Sequence, residues 1–135
     1  MMVRMPSTLI TEKLAGRNIQ LEMMNGDVIE GILEHVTNYE LGLRSREGVL
    51  VVFRHAIKSA RVRENEVMGI VRDCCDEQQI LDSGYVGYDV VVRFISGGEL
   101  SGKLLSVSKY EIAISSGGYA YILNKGSISY VKLIQ

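Results

Sequence analysis

The chain has 135 residues, 47% of them hydrophobic and 23% charged, the make-up of an ordinary folded protein rather than of a disordered or lipid-embedded one. Fifteen Lys and Arg stand against sixteen Asp and Glu, a formal net charge of −1, so there is no global basic excess to coat a nucleic acid and any such site must be a local patch. The longest apolar run, residues 49–53, is too short to span a bilayer, and residues 1–6 lead into no apolar signal core, so a cytoplasmic protein with no membrane association is expected.

Taken in chain order, Ser7 or Thr8 can cap a short helix that runs through Leu14 and stops at Gly16. Period-two patterning follows, with apolar residues at Ile19, Leu21 and Met23, then Val28, Ile32 and Leu33, then Tyr39, Leu41 and Leu43, which predicts strands. Asn25-Gly26-Asp27 and Arg46-Glu47-Gly48 supply hairpin turns between them. Gly31 falls inside a strand, where a residue without Cβ marks a bend or bulge that lets a sheet fold back on itself. Residues 66–75 form a short charged connector without Pro, expected to be ordered rather than a flexible tether. It ends on Cys74 and Cys75, which are adjacent and so poorly placed to converge on a disulfide or a metal; His35 and His55 are the only histidines, and no metal or other cofactor is expected.

The remainder repeats the first part. An offset of 71 residues lays positions 18–62 on 89–133 without a gap, and the identical columns include Gly26/Gly97, Gly31/Gly102, Leu33/Leu104, Val36/Val107, Tyr39/Tyr110, Glu40/Glu111 and Ile57/Ile128. Most of the other apolar positions of the first copy fall opposite an apolar residue of the second. Residues 76–84, with Ile80 and Leu81 where the first copy has Leu9 and Ile10, read as a shortened form of the same helix. The chain is thus expected to be mainly β: domain 1 over residues 1–65, domain 2 over 76–135, each a short helix followed by five bent antiparallel strands. Halves of roughly 60 to 65 residues lie near the lower limit for a self-sufficient core, which favours assembly.

A short helix, five bent strands, a glycine at the first hairpin and another in the second strand resemble the Sm/LSm fold and its bacterial Hfq branch. In the first copy Val51-Val52-Phe53-Arg54-His55-Ala56-Ile57 looks like the Hfq signature of an aromatic residue followed by Lys, His, Ala and Ile, with Arg54 in the place of the lysine. In the second, Ile122-Leu123-Asn124-Lys125-Gly126-Ser127-Ile128 looks like the second Sm motif, a basic residue followed by Gly. The likeness implies two tandem Sm-like, SH3-like barrels. It also implies a homo-oligomeric ring of six or seven barrels joined through fourth and fifth strands, with three two-domain chains forming a pseudo-hexamer on the Hfq pattern and a sevenfold ring on the LSm one.

What the resemblance implies for function is binding of single-stranded RNA, with U-rich tracts preferred, as an RNA chaperone or post-transcriptional regulator. Single strands are read by stacking bases on aromatic rings, bonding base edges and holding phosphates with cations. The residues matching the family pocket are Asn38, Tyr39, Arg54 and His55 in the first copy and Lys109, Tyr110, Lys125 and Gly126 in the second. Each has a plainer reading: a tyrosine at a strand start packs half-buried, and a histidine beside a turn bonds to backbone. Residues 44–63 add a basic stretch of Arg44, Arg46, Arg54, Lys58, Arg61 and Arg63 that could hold phosphates or simply be a solvated face. Glu22 stands in the first strand where purine-binding relatives carry an aromatic residue, which argues against purine tracts on that face. The alternative function is a protein–protein assembly module of the same fold with little RNA affinity. An enzyme is not expected, because no nucleophile, base and orienting acid can be assembled and no phosphate-binding glycine loop opens a helix.

Overall fold

The computed structural model describes residues 9–67 and 79–134. Ten antiparallel strands lie in one open sheet: β1 (Asn18–Met23), β2 (Val28–Val36), β3 (Glu40–Ser45), β4 (Gly48–Phe53), β5 (Ile57–Arg63), β6 (Asp89–Phe94), β7 (Glu99–Val107), β8 (Glu111–Ser116), β9 (Tyr119–Asn124) and β10 (Ile128–Ile134). Their order across the sheet is β10-β6-β7-β8-β9-β5-β1-β2-β3-β4. Each strand of the second copy begins and ends 71 residues after its counterpart, the offset read from the sequence.

Where a helix is expected from Ser7 or Thr8 to Leu14, the described residues carry only a three-residue 3-10 turn, Glu12–Leu14, capped by Thr11. Its counterpart is Ser83–Tyr85, capped by the Asp82 side chain. Ser7 and Thr8 lie outside the described residues, as do Cys74, Cys75 and the connector from residue 68 to 75; of the connector, Glu66 closes a further 3-10 turn and Val67 is buried.

The first hairpin forms as its residues dictate. Gly26 takes φ 93° and the Asn25 Oδ1 accepts the Asp27 amide at 3.0 Å, the local closure that Asn favours in turns. The mid-strand glycines serve a close approach instead: a Cβ on Gly31 would lie 2.7 Å from the carbonyl oxygen of Arg44, and one on Gly102 only 2.1 Å from that of Ser115. Just beyond each of them the pairing of the second and third strands slips by a residue, between Leu33 and His35 and between Leu104 and Ser106. Before the slip the inward set in β2 is the odd-numbered one, with Leu33 fully buried and Val28 62% exposed, so Val28 and Ile32 do not belong to it. Beyond the slip the phase reverses: His35 is exposed and Val36 packs against the core. Tyr39, grouped with Leu41 and Leu43 by alternation, is 79% exposed while those two leucines are buried.

Two apolar clusters result. One gathers Ile19, Leu21, Leu33, Leu41, Leu43 and Val52 of the first copy with Ala113, Ala120 and Ile122 of the second; the other gathers Val90, Val92, Leu104, Ile112, Ile114 and Leu123. The first cluster crosses the junction between copies, where β5 pairs with β9 in the register Ser59↔Leu123, Ala60↔Ile122, Arg61↔Tyr121, Val62↔Ala120 and Arg63↔Tyr119. Burying these side chains removes apolar surface from water at about 25 cal/mol per Å², so the junction is continuous with the core and not a loose contact. No helix among the described residues is long and apolar enough to cross a membrane.

Candidate functional site

At this junction the turns after β2, β4 and β7 converge. A pocket of about 330 Å³ is lined by Asn38, Tyr39, Arg54 and His55 from the first copy and by Tyr110, Glu111 and Asn124 from the second. That volume is at the small end of the range for ligand sites, about 300–1,000 Å³, and suits one flat ring rather than an extended molecule. All four first-copy residues singled out from the sequence are here, together with Tyr110.

The two tyrosines present their rings from opposite copies and stay accessible, Tyr110 at 53% exposure. Backbone bonds position both. The Tyr39 carbonyl accepts the Arg54 amide at 2.9 Å, and the Tyr110 carbonyl accepts the Lys125 amide at the same distance, so in each copy the aromatic residue is tied to the basic turn. Thr37 closes the loop beneath Tyr39 through its Oγ1, which accepts the Glu40 amide at 3.0 Å. His55 is exposed, 6.2 Å from Phe53 between ring centroids and tilted to it.

Arg54 is different in kind from a free phosphate-binding cation. Its Nε donates to the Thr37 carbonyl at 2.8 Å and its Nη2 to the Ile10 carbonyl at 2.7 Å, while Nη1 lies 4.0 Å from Glu111 Oε2. Burial lowers its pKa and the Glu111 carboxylate raises it. Glu111 in turn accepts the amides of Leu9 and Ile10 on Oε1. Burial lifts its pKa above the ordinary carboxylate value, against the opposing pull of those amides and of Arg54. The pair therefore pins the segment before β1 onto the second copy and forms the floor of the pocket.

Asn124 closes the far side. Its Nδ2 donates to the Ile57 carbonyl of the first copy at 3.1 Å, and its Oδ1 accepts the Gly126 amide at 2.9 Å. Ser127 Oγ reaches across to the Lys58 carbonyl at 3.2 Å. Neither Glu111 nor Asn124 was among the residues singled out. Glu111 had a signal, a charge identical in both copies at a strand start; Asn124 stands in the strand-four motif of the second copy, but its column holds Phe53 in the first, so the repeat does not mark it.

Lys109, Lys125 and Gly126 do not line this pocket. The Lys109 ammonium sits 5.3 Å from the Tyr110 ring centroid. Lys125 donates to Gln79 Oε1 at 3.3 Å, and burial lowers its pKa. It borders a separate apolar hollow of about 370 Å³ with Gln79, Ile80, Leu81, Tyr130 and Leu133 among its walls. The basic stretch is likewise partly committed: Arg44 pairs with Glu34 at 3.7 Å, Lys58 pairs with Glu22 at 3.7 Å and lies 4.5 Å over Phe94, and Arg61 lies 4.4 Å over Tyr119. Among the described residues no group of three His, Cys, Asp or Glu side chains could hold a metal ion.

No family model matches the chain, and neither the curated proteins nor the solved structures give a significant match.

Proposed function

We propose that the protein is a non-enzymatic binder of single-stranded RNA, with a preference for U-rich tracts, built from two tandem bent barrels of the Sm/LSm kind. The observation that carries this reading is the pocket between the copies, where Tyr39 and Tyr110 stand exposed beside Asn38, His55 and Asn124. Two aromatic faces and several amide or imidazole groups in a ring-sized hollow are what an unstacked base requires, and base–aromatic stacking contributes about 1–3 kcal/mol per base. The barrel reading is supported by the close approach at Gly31 and Gly102, the slipped pairing next to each, and the fivefold strand order repeated in both halves.

Assembly belongs to the same reading. Among the described residues the sheet ends on β4 and on β10, the same two strand types that pair inside the chain as β9 and β5. Unpaired edges invite a partner, and a head-to-tail contact that closes makes a ring, here of three chains.

The test is a titration of labelled oligo-U and oligo-A against the wild type and against Tyr39→Ala with Tyr110→Ala. Tighter binding of oligo-U, weakened about tenfold or more by the double substitution, is expected. Equal and undetectable binding of both oligomers at low salt would refute it, and leave the protein–protein assembly module as the better account. The tyrosines are better probes than Arg54, because removing the guanidinium would also release the contacts that hold the junction together.

A further inference from the structure

The internal junction has a second, unfilled half. We propose that a second copy of this chain fills it, its Glu40 carboxylate accepting the backbone amides of Ile80 and Leu81 and pairing with Lys125. The proposal rests on the ring reading above and adds to it the residues that determine the contact between chains.

At the internal junction Leu9 and Ile10 are each 1% exposed, and Glu111 holds their amides. Their equivalents 71 residues on are less covered: Ile80 is 85% exposed, and Leu81 is only half-buried, against the second cluster. The equivalent of Glu111 is Glu40, which is exposed at the start of β3 beside the free β4 edge. The equivalent of Arg54, which faces Glu111, is Lys125. A negative group without a buried partner thus stands on one free edge and a positive group on the other.

The apolar surface tells the same story. Ala120 and Ile122 of β9 are buried against the first copy, whereas their equivalents Val49 and Val51 on β4 are 70% and 58% exposed. Val62 on β5 is buried, whereas its equivalent Leu133 on β10 is 37% exposed and walls the hollow that Lys125 borders. Transferring the β5–β9 register to the free edges places Leu133 opposite Val49, Val131 opposite Val51 and Tyr130 opposite Val52 of the second copy. It also brings Tyr39, Glu40 and Phe53 of that copy beside Lys109, Tyr110, Lys125 and Gly126. The half-site left incomplete within one chain becomes a pocket of the same plan as the first. Phe53 there replaces Asn124, so the second pocket is the more apolar of the two.

The experiment uses the full chain with Cys74→Ser and Cys75→Ser. Val49→Cys combined with Leu133→Cys is expected to give interchain disulfides under mild oxidation, seen as a ladder of covalent multimers, because directly opposed positions bring Cβ atoms within about 5.5 Å. Val49→Cys with Val131→Cys, out of register, is expected to give none; the reverse pattern would overturn the register. In parallel, sedimentation measures association of the wild type, Glu40→Ala and Glu40→Gln, each first checked for unchanged circular dichroism. Glu40→Ala is expected to weaken association about tenfold or more, and Glu40→Gln, which keeps an acceptor oxygen, to weaken it less. An associating wild type whose Glu40→Ala variant stays within about twofold overturns the clamp while the ring reading stands. A wild type that remains a single chain throughout overturns both.

Discussion

Replacing Glu111 with Ala removes a side chain of the second copy that accepts hydrogen bonds from the segment before β1. The amides of Leu9 and Ile10 then lose their acceptor, and both residues are too deeply buried for water to take its place. Each buried amide left unpaired costs about 1–3 kcal/mol. Arg54 also loses its counter-charge across 4.0 Å, and removing one member of a buried ion pair costs about 3–5 kcal/mol in all. The two estimates overlap, so a loss of about 3–5 kcal/mol is expected, a large part of the roughly 5–15 kcal/mol that stabilises a typical domain. Glu111→Gln separates the contributions. It keeps an oxygen for the amides and gives up only the charge facing Arg54, so a smaller loss than for Ala is expected. Urea unfolding followed by circular dichroism, with midpoint and slope measured at one protein concentration, reads both. A loss below about 1 kcal/mol for Ala, or equal losses for Ala and Gln, would refute the role assigned to the carboxylate.

The same group should mark the pH dependence of the fold. Its folded pKa lies above the ordinary 4.5 because it is buried, so the folded state binds more protons than the unfolded one; its contribution to stability is complete below 4.5 and is lost as pH rises through the raised value. Unfolding midpoints of the wild type minus those of Glu111→Gln should therefore decline with rising pH above 4.5, and a flat or rising difference would contradict the burial argument. The mid-strand glycines offer a second comparison between copies. Gly102→Ala would drive a Cβ to 2.1 Å from the Ser115 carbonyl oxygen and 2.7 Å from Ile114 Cγ2, and Gly31→Ala one to 2.7 Å from that of Arg44. Both should destabilise the protein, within or beyond the roughly 1–3 kcal/mol of ordinary overpacking, with Gly102→Ala the costlier in the same urea assay; an equal or smaller loss at Gly102 would show that β7 and β8 can separate freely.

By itself, the sequence determined the repeat, its offset of 71 residues, the strands and their turns, because period-two burial and the conformational demands of turns act within a few residues. The inward phase of β2 was not legible. Alternation pointed to Val28 and Ile32, but Ile29, Gly31 and Leu33 face inward until the slipped pairing after Leu33 brings Val36 in instead of His35, and a bulge depends on the neighbouring strand. The candidate site divides in the same way. Tyr39, Tyr110 and the basic turns could be found by matching columns, since both copies carry them. Only tertiary structure decided that Arg54 is a structural clamp with Glu111 while its equivalent Lys125 faces an open hollow, because identical columns meet different neighbours at the internal junction and at the free edge. Pairing of β5 with β9 buries one set of equivalent residues and leaves the other exposed, and no periodicity within either copy carries that distinction.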